Sequence, residues 1–162
     1  MMLLTTITVV LALLGSALIG GVFFAFSSFV MKALARVSPS RGIEAMQAIN
    51  VVVLNRSFLG LFMGTAAISL MVAALAVMQW HASSSPWFLA GAACYVVGTF
   101  VVTGLGNVPL NNQLALLPPA DPASASGWSH YLERWTRLNT VRTVAAIAAS
   151  LFFTIGLSLC TG

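Results

Sequence analysis

Charged residues are scarce in this sequence, and acidic residues are the scarcest. Only 6% of the 162 residues are charged, with three Asp/Glu against seven Lys/Arg, whereas about a quarter of the residues in a soluble domain are charged. So few charged side chains cannot cover a water-soluble globule of this size. The low content excludes an ordinary soluble domain, and the high apolar content excludes a disordered chain.

Cysteine is also rare, with two residues, which is too few for a disulfide scaffold. Cys94 and Cys160 lie in apolar segments and show neither CxxC nor Cys/His spacing. We therefore interpret them as small buried residues and predict no metal site. No basic run interleaves with aromatic residues, so we expect no nucleic-acid partner despite the net charge of +4.

Hydrophobic residues are abundant, at 59% of the chain with a mean hydropathy of +0.99. Four nearly uncharged stretches are each long enough to cross a bilayer, which takes roughly 20 residues. They predict an all-α fold, namely a four-helix transmembrane bundle of up-down topology, as a single transmembrane domain over residues 1–162. The predicted spans are 3–31, 57–78, 87–106 and 140–159, joined on one side by the connections 32–56 and 107–139.

Local signals refine these limits. A turn is predicted at 38–42, followed by a helix over 43–55 that continues into the second span. Pro109 predicts the end of the third helix, and residues 128–139 predict an amphipathic segment leading into the fourth. Gly60 and Gly64 form a GxxxG pattern, which we interpret as close helix packing inside the bundle.

The basic residues indicate an orientation. All seven Lys/Arg lie in the stretches 32–56 and 134–142, and neither the hairpin at 80–86 nor the termini carry one. The positive-inside rule therefore puts these connections in the cytoplasm and predicts both termini outside. His81 and His130 then lie on opposite sides of the membrane and cannot share a metal or a haem.

Polar and aromatic side chains of all four spans gather near this cytoplasmic interface. Polar groups that face lipid are costly, so we expect them to turn inward and to pair or line a cavity. A pocket of amides, hydroxyls and aromatic rings is therefore predicted at this end. Its predicted substrate-binding residues are Phe23, Phe26, Ser27, Gln47, Asn50, Asn107, Asn111, Trp128, Tyr131 and Trp135.

The predicted catalytic residues are Arg142, Asn139 and His130. The guanidinium of Arg142 is suited to bind an anion, a phenolate or a carbonyl oxygen by charge-assisted hydrogen bonds. Alternatively, Arg142 extends to lipid headgroups or ties helix ends together. For Trp128 and Trp135 the alternative is anchoring at the membrane interface, and for the amides it is hydrogen bonding between helices.

Four segments carry a family resemblance. They are 21–27 (GVFFAFS), 45–50 (AMQAIN), 107–111 (NVPLN) and 135–143 (WTRLNTVRT), the last preceded by Trp128. In this order and spacing they resemble the bacterial DUF1772 membrane proteins, which belong with the anthrone oxygenase-like family. The resemblance covers nearly the whole chain.

The resemblance implies a four-helix integral membrane protein, located in the inner (plasma) membrane of a bacterium. Fungal members are similar to small oxygenases that convert anthrones to anthraquinones without flavin, haem or metal, so the resemblance implies no cofactor. Many relatives carry Glu at the position of Asn112 and His at that of Thr140. The residues that the resemblance implies at the site are Asn50, Asn107, Asn111, Trp135, Asn139 and Arg142.

Two functions follow as hypotheses. The first is a cofactor-independent oxygenase for a hydrophobic polycyclic phenol, whose anion passes an electron directly to O2. Arg142 with Asn107 or Asn139 would stabilise the oxyanion, and His130 or Glu44 would be the base. The rings would stack on Phe23, Phe26 and Trp135.

The second hypothesis is a non-catalytic membrane module. The same pocket would then bind a lipid, a quinone or a partner helix. Under either hypothesis we expect membrane lipids as partners and a hydrophobic aromatic small molecule as the candidate ligand of the oxygenase. The sequence leaves the oligomeric state open.

Overall fold

Five helices account for the fold. The computed structural model describes residues 2–160, and within them the long helices are α1 (Leu3–Leu34), α3 (Arg56–Met78), α4 (Ser85–Ala115) and α5 (Ser124–Cys160). The short helix α2 (Pro39–Val52) lies between α1 and α3. No strand occurs in residues 2–160. The predicted all-α fold is confirmed.

The four long helices form a bundle. Helix α1 packs against α3 and α5, and α4 packs against the same two helices, so that each long helix has two neighbours. Helices α1 and α5 are antiparallel, because Gly20 lies close to Ile147 and Ser27, further along α1, bonds the earlier residue Thr140 of α5. Large apolar side chains remain exposed along all four helices. By length and composition these helices are able to cross a membrane, which characterises a membrane protein.

Helix α2 differs from its prediction at both ends. It begins at Pro39 rather than at residue 43, because proline is well accommodated in the first turn, where an amide hydrogen has no helical partner. It ends at Val52 and does not continue into α3, so the predicted continuous helix is wrong. Asn55 starts α3 as its N-cap, and its side-chain oxygen accepts a hydrogen bond of 2.9 Å from the backbone N–H of Phe58.

Helix α4 continues through Pro109 to Ala115, so the predicted helix end at that proline is also wrong. Residues Thr103–Asn107 form a π-helical turn just before it, in which the N–H of Val108 bonds the carbonyl oxygen of Thr103. This wider turn changes the register and accommodates a ring that would clash with a carbonyl in a regular α-helix. Helix α5 runs unbroken through residues 128–139, as predicted.

Two predictions of burial are wrong. A Cβ atom added at Gly60 or Gly64 would meet no atom of the described chain within 4 Å, so this GxxxG pattern does not mediate packing inside the bundle. Cys160 is exposed because it lies in the last turn of α5, beyond the packed part of the helix. The bilayer limits of the spans and the single-domain assignment stay predictions.

Candidate functional site

The candidate site lies at the end of the bundle where α2 packs between α4 and α5. Helix α5 contributes one face of this site, on which Tyr131, Trp135, Asn139 and Arg142 recur at helical spacing and are all buried. The facing side chains come from the second half of α1, from α2 and from the second half of α4.

Arg142 is the centre of a buried polar network. Its side chain is 4% exposed. Its Nη2 donates to Oδ1 of Asn139 at 2.7 Å and its Nη1 to Oγ1 of Thr103 at 3.1 Å. The Cζ atom lies 4.1 Å from the ring centroid of Phe23 and 5.3 Å from that of Trp135. A guanidinium between two aromatic faces is held by cation–π attraction. Because it is buried, Arg142 does not extend to lipid headgroups.

The charge of Arg142 is not balanced by a carboxylate among the described residues. Glu44, Asp121 and Glu133 are the only acidic side chains of the sequence, and all three are exposed. The Nε atom of Arg142 is buried and has no hydrogen-bond partner in the described chain. A buried charge without a counter-ion is costly, so this position favours an anion.

Asn139 joins α5 to α1. Its Nδ2 donates to the carbonyl oxygen of Phe23 and to Oγ of Ser27, each at 2.7 Å, and the Ser27 hydroxyl also lies 3.0 Å from that of Thr140. The residues Phe26–Val30 of α1 form a π-helical turn beside these contacts. Such turns are frequent at functional sites, and here one brings α1 within reach of Asn139.

Asn111 of α4 connects the network to the aromatic residues of α5. Its Oδ1 accepts hydrogen bonds from Nε1 of Trp135 at 2.8 Å and from the hydroxyl of Tyr131 at 2.9 Å. The Tyr131 hydroxyl also lies at a long 3.5 Å from Nδ2 of Asn50. Trp135 therefore contacts Asn111 with its indole nitrogen and Arg142 with its ring, so it links the two.

Asn107 and Gln47 bond to backbone carbonyl groups. Nδ2 of Asn107 donates to the carbonyl oxygen of Trp135 at 3.2 Å, and its buried Oδ1 has no partner in the described chain. Nε2 of Gln47 donates to the carbonyl oxygens of Leu114 and Leu117, which fixes α2 against the end of α4. These bonds between helices agree with the structural alternative for the amides.

The aromatic residues of α5 form a stack. The rings of Trp128 and Tyr131 have centroids 5.7 Å apart, those of Tyr131 and Trp135 6.1 Å, and Phe26 lies 5.7 Å from Trp135. Trp128 and Trp135 are only 3% and 5% exposed. Burial of this extent is inconsistent with anchoring at the membrane interface, and it assigns both indoles to the interior of the site.

His130 and Glu44 do not join the network. Both side chains are exposed, because their positions on α5 and α2 face away from the buried stripe. His130 lines a small cavity of about 130 Å³ beside Tyr131. No three His, Cys, Asp or Glu side chains within residues 2–160 gather in a way that could hold a metal ion.

A cavity opens beside Asn111. Its volume is about 420 Å³, within the range of small-molecule sites. We call it the amide cavity because four amide side chains line it, those of Gln47, Asn50, Asn111 and Asn112. Its remaining walls are apolar apart from backbone groups. None of the cavities described here is lined by Arg142, which lies deeper, behind Trp135.

Comparison with known proteins identifies the family. The family model described as anthrone oxygenase matches residues 53–152, which is more than half of the chain. The chain belongs to the anthrone oxygenase family. No curated protein and no solved structure matches the chain significantly.

The family match covers α3, α4 and most of α5, and it contains the Arg142 network on these helices. The anthrone oxygenase model does not extend to Phe23, Ser27, Gln47 and Asn50, which α1 and α2 bring to the same site. The site as a whole therefore combines residues inside and outside the matched region.

Thr103 is a member of the site that the sequence did not indicate. Its hydroxyl accepts the hydrogen bond from Arg142 and donates to the carbonyl oxygen of Thr99 at 2.7 Å. A threonine within an apolar span commonly bonds back to its own helix. The residue type alone therefore does not indicate that Thr103 also bonds Arg142. The start of the π-helical turn at Thr103 is the feature that distinguishes it.

Proposed function

We propose that this protein is a membrane oxygenase that oxidises a hydrophobic aromatic substrate in its anionic form with O2. The observation that carries the proposal is the buried guanidinium of Arg142, which has no carboxylate partner among the described residues. Membership of the anthrone oxygenase family supports the reaction type. The amide cavity, which is lined by the Asn111 side chain that bonds Trp135, supports a bound small molecule.

The reaction needs charge stabilisation more than a reactive side chain. An anthrone-type substrate loses a proton from the methylene carbon opposite its carbonyl group and becomes a delocalised phenolate. Electron transfer to O2 and recombination give a peroxide at that carbon, and loss of water leaves a second carbonyl group. One O2 is consumed and one water is released, so no added reductant is required.

The proposed role of Arg142 is to stabilise, from its position behind Trp135, the negative charge of a phenolate bound in the amide cavity. In a site without bulk water, a fixed cation stabilises a developing oxyanion far more than it would in solution. Asn139 and Thr103 hold the guanidinium in place, and the aromatic faces of Phe23 and Trp135 limit its movement.

The exposed positions of His130 and Glu44 give no support to either as the base. We therefore propose that the site selects substrate molecules already ionised at the membrane surface. Arg142 then favours the anion over the neutral phenol. This makes binding of the anion, rather than proton abstraction by a side chain, the contribution of the protein.

Oxygen uptake tests the proposal. The protein in lipid nanodiscs is supplied with dithranol, a dihydroxyanthrone, and uptake is compared with that of empty nanodiscs. We expect Arg142→Gln to lower turnover at least tenfold, since about 1.4 kcal/mol of lost transition-state stabilisation is a factor of ten. Arg134→Gln is the matched control, because Arg134 is an exposed arginine of the same helix.

Two results would contradict the oxygenase. One is uptake by the wild-type protein no faster than in empty nanodiscs. The other is an Arg142→Gln variant that remains folded and as active as the Arg134→Gln control. Arg142→Lys keeps the charge but loses the two-pronged set of guanidinium donors. Its turnover should therefore lie between those of wild type and Arg142→Gln.

We also propose a bacterial plasma membrane as the location, with both termini outside. Six exposed Lys/Arg side chains lie at the end of the bundle that carries the site, which supports a cytoplasmic position of that end. These residues are Lys32, Arg36, Arg41, Arg56, Arg134 and Arg137. They would also attract anionic lipid headgroups as partners.

A further inference from the structure

We infer that the amide nitrogen of Asn111 is a hydrogen-bond donor of fixed orientation that binds a carbonyl or phenolate oxygen of an aromatic ligand in the amide cavity. Trp135 and Tyr131 are the positioning residues that fix this orientation. The inference rests on the proposed function, because it assigns a recognition group to the same substrate. It goes further in naming the atom that recognises the ligand.

The orientation of the Asn111 amide follows from its partners. The indole N–H of Trp135 can only donate, and it points at Oδ1 of Asn111 from 2.8 Å. Turning the amide over would set its NH2 group against this N–H, with two donors facing each other. The Tyr131 hydroxyl donates to the same oxygen at 2.9 Å. Both bonds hold the oxygen toward α5, so the nitrogen occupies the other side of the amide.

That nitrogen is available to a ligand. Nδ2 of Asn111 donates to no atom of residues 2–160, and it is not among their buried unpartnered atoms. Asn111 is half-buried and lines the amide cavity. A donor at a cavity wall, with its acceptor side already occupied, is complementary to an oxygen acceptor such as a carbonyl group or a phenolate.

The neighbouring amides of Asn50 and Gln47 bond to the protein through their nitrogen atoms, whereas Asn111 does so through its oxygen atom. Nδ2 of Asn50 is directed at the Tyr131 hydroxyl, and Nε2 of Gln47 is bonded to the carbonyl oxygens of Leu114 and Leu117. The side-chain oxygens of Asn50 and Gln47 therefore remain as acceptors. A wall with one fixed donor and two acceptors suits an aromatic carbonyl compound that also carries hydroxyl groups.

The apolar parts of the cavity suit the rings of such a compound. Val51, Leu54 and Val108 are exposed and line the cavity together with the amides. Their side chains give a hydrophobic ligand an approach from the lipid phase. A lipid chain would fill the same apolar wall, but it would leave the Asn111 donor without an acceptor, which is unfavourable.

Binding of danthron, the anthraquinone that corresponds to dithranol, tests the inference without requiring turnover. Danthron is titrated into the protein in lipid nanodiscs, and its visible absorbance reports Kd. Asn111→Asp keeps an oxygen for Trp135 and Tyr131 and replaces the donor by an acceptor. Asn111→Leu removes the donor without adding charge. We expect either change to raise Kd about tenfold or more, as for a lost hydrogen bond to a charged or polar group.

Gln113→Glu is the matched control, because it adds the same charge to the same helix at an exposed position that does not line the amide cavity. Its Kd should stay within about threefold of wild type. In the infrared spectrum, we expect the carbonyl stretch of bound danthron to lie at lower frequency in wild type than in Asn111→Leu, because a hydrogen bond weakens the C=O bond.

The outcomes separate the inference from the proposed function. Folded Asn111→Asp and Asn111→Leu proteins that bind danthron like wild type would overturn the role of Asn111, whatever the oxygen uptake. The expected loss of danthron binding in both variants, combined with no oxygen uptake from dithranol by wild type, would support the binding site and overturn the oxygenase. An equal loss in the Gln113→Glu control would overturn the inference, since charge alone would then explain the effect.

Discussion

The side chain of Asn139 makes three hydrogen bonds within the site. It is fully buried, it donates to Phe23 and Ser27, and it accepts from Arg142. We expect Asn139→Ala to lower the free energy of unfolding by about 2–4 kcal/mol, because it removes the acceptor of Nη2 of the buried Arg142 guanidinium and both hydrogen bonds to α1. Ser129→Ala is the control on the same helix, since that hydroxyl is exposed and bonds only to its own helix.

Unfolding of both variants by titration with SDS in mixed micelles measures the difference. The control should change by less than about 0.5 kcal/mol, as surface substitutions do. Equal stabilities of Asn139→Ala and Ser129→Ala would show that the network contributes nothing to stability. The role of Arg142 would then have to be argued from substrate binding alone.

At the scale of single residues, the sequence identifies most of the buried polar cluster for a simple reason. A polar side chain in an apolar span has few stable positions other than the interior, so the helical spacing of Trp135, Asn139 and Arg142 is enough to indicate a buried cluster. The sequence does not indicate Thr103, because a threonine hydroxyl can bond to a carbonyl oxygen of its own helix, as this one also does to Thr99. His130 is placed among the catalytic residues by its chemistry, and only its position on the helix shows that it faces outward.

Among the elements, α2 depends on one glycine for its position. A Cβ atom at Gly42 would lie 2.6 Å from Cζ2 of Trp128, and this indole is buried and stacked on Tyr131. We expect Gly42→Ala to displace Trp128 or α2 and to lower Tm, with a loss of about 1–3 kcal/mol, as for overpacked cores. The emission maximum of tryptophan should shift as the indole becomes more accessible.

Gly64→Ala is the control for this substitution. It lies within a helix and nothing in the described chain stands within 4 Å of its added methyl group. Because alanine is the better helix former, its Tm should stay the same or rise slightly. A thermal melt of the two variants in detergent compares them, and a Gly42→Ala protein as stable as wild type would rule out the close approach of α2 to Trp128.

The ends of the helices are predictable from the sequence where hydrophobicity determines them. They are not predictable where the local backbone geometry determines them. The four long apolar runs follow directly from composition. The extension of α4 past Pro109 depends on a π-helical turn, which no periodicity in the sequence marks. The break before α3 carries a local signal, since an asparagine such as Asn55 is a preferred N-cap, but that signal competes with the apolar residues that flank it on both sides.

For the whole molecule, the distribution of charge is asymmetric. The end that carries the site has all the described exposed cations, and the opposite end has a cavity of about 310 Å³ lined by hydroxyl groups, Gln79 and His81. This asymmetry was already visible in the sequence, because the positive-inside rule depends only on where Lys and Arg occur. The antiparallel packing that places both termini at one end is a property of the fold.

Cys160 provides a direct test of the orientation. It is exposed at the end of α5, whereas Cys94 is half-buried within α4. In a Cys94→Ala background, a membrane-impermeant maleimide added to intact spheroplasts should label Cys160, because both termini are predicted outside. Lys32→Cys in a protein without the two native cysteines is the counterpart at the opposite end, and it should be labelled only after lysis. The reverse pattern would put the site on the outer face of the membrane and contradict the predicted topology.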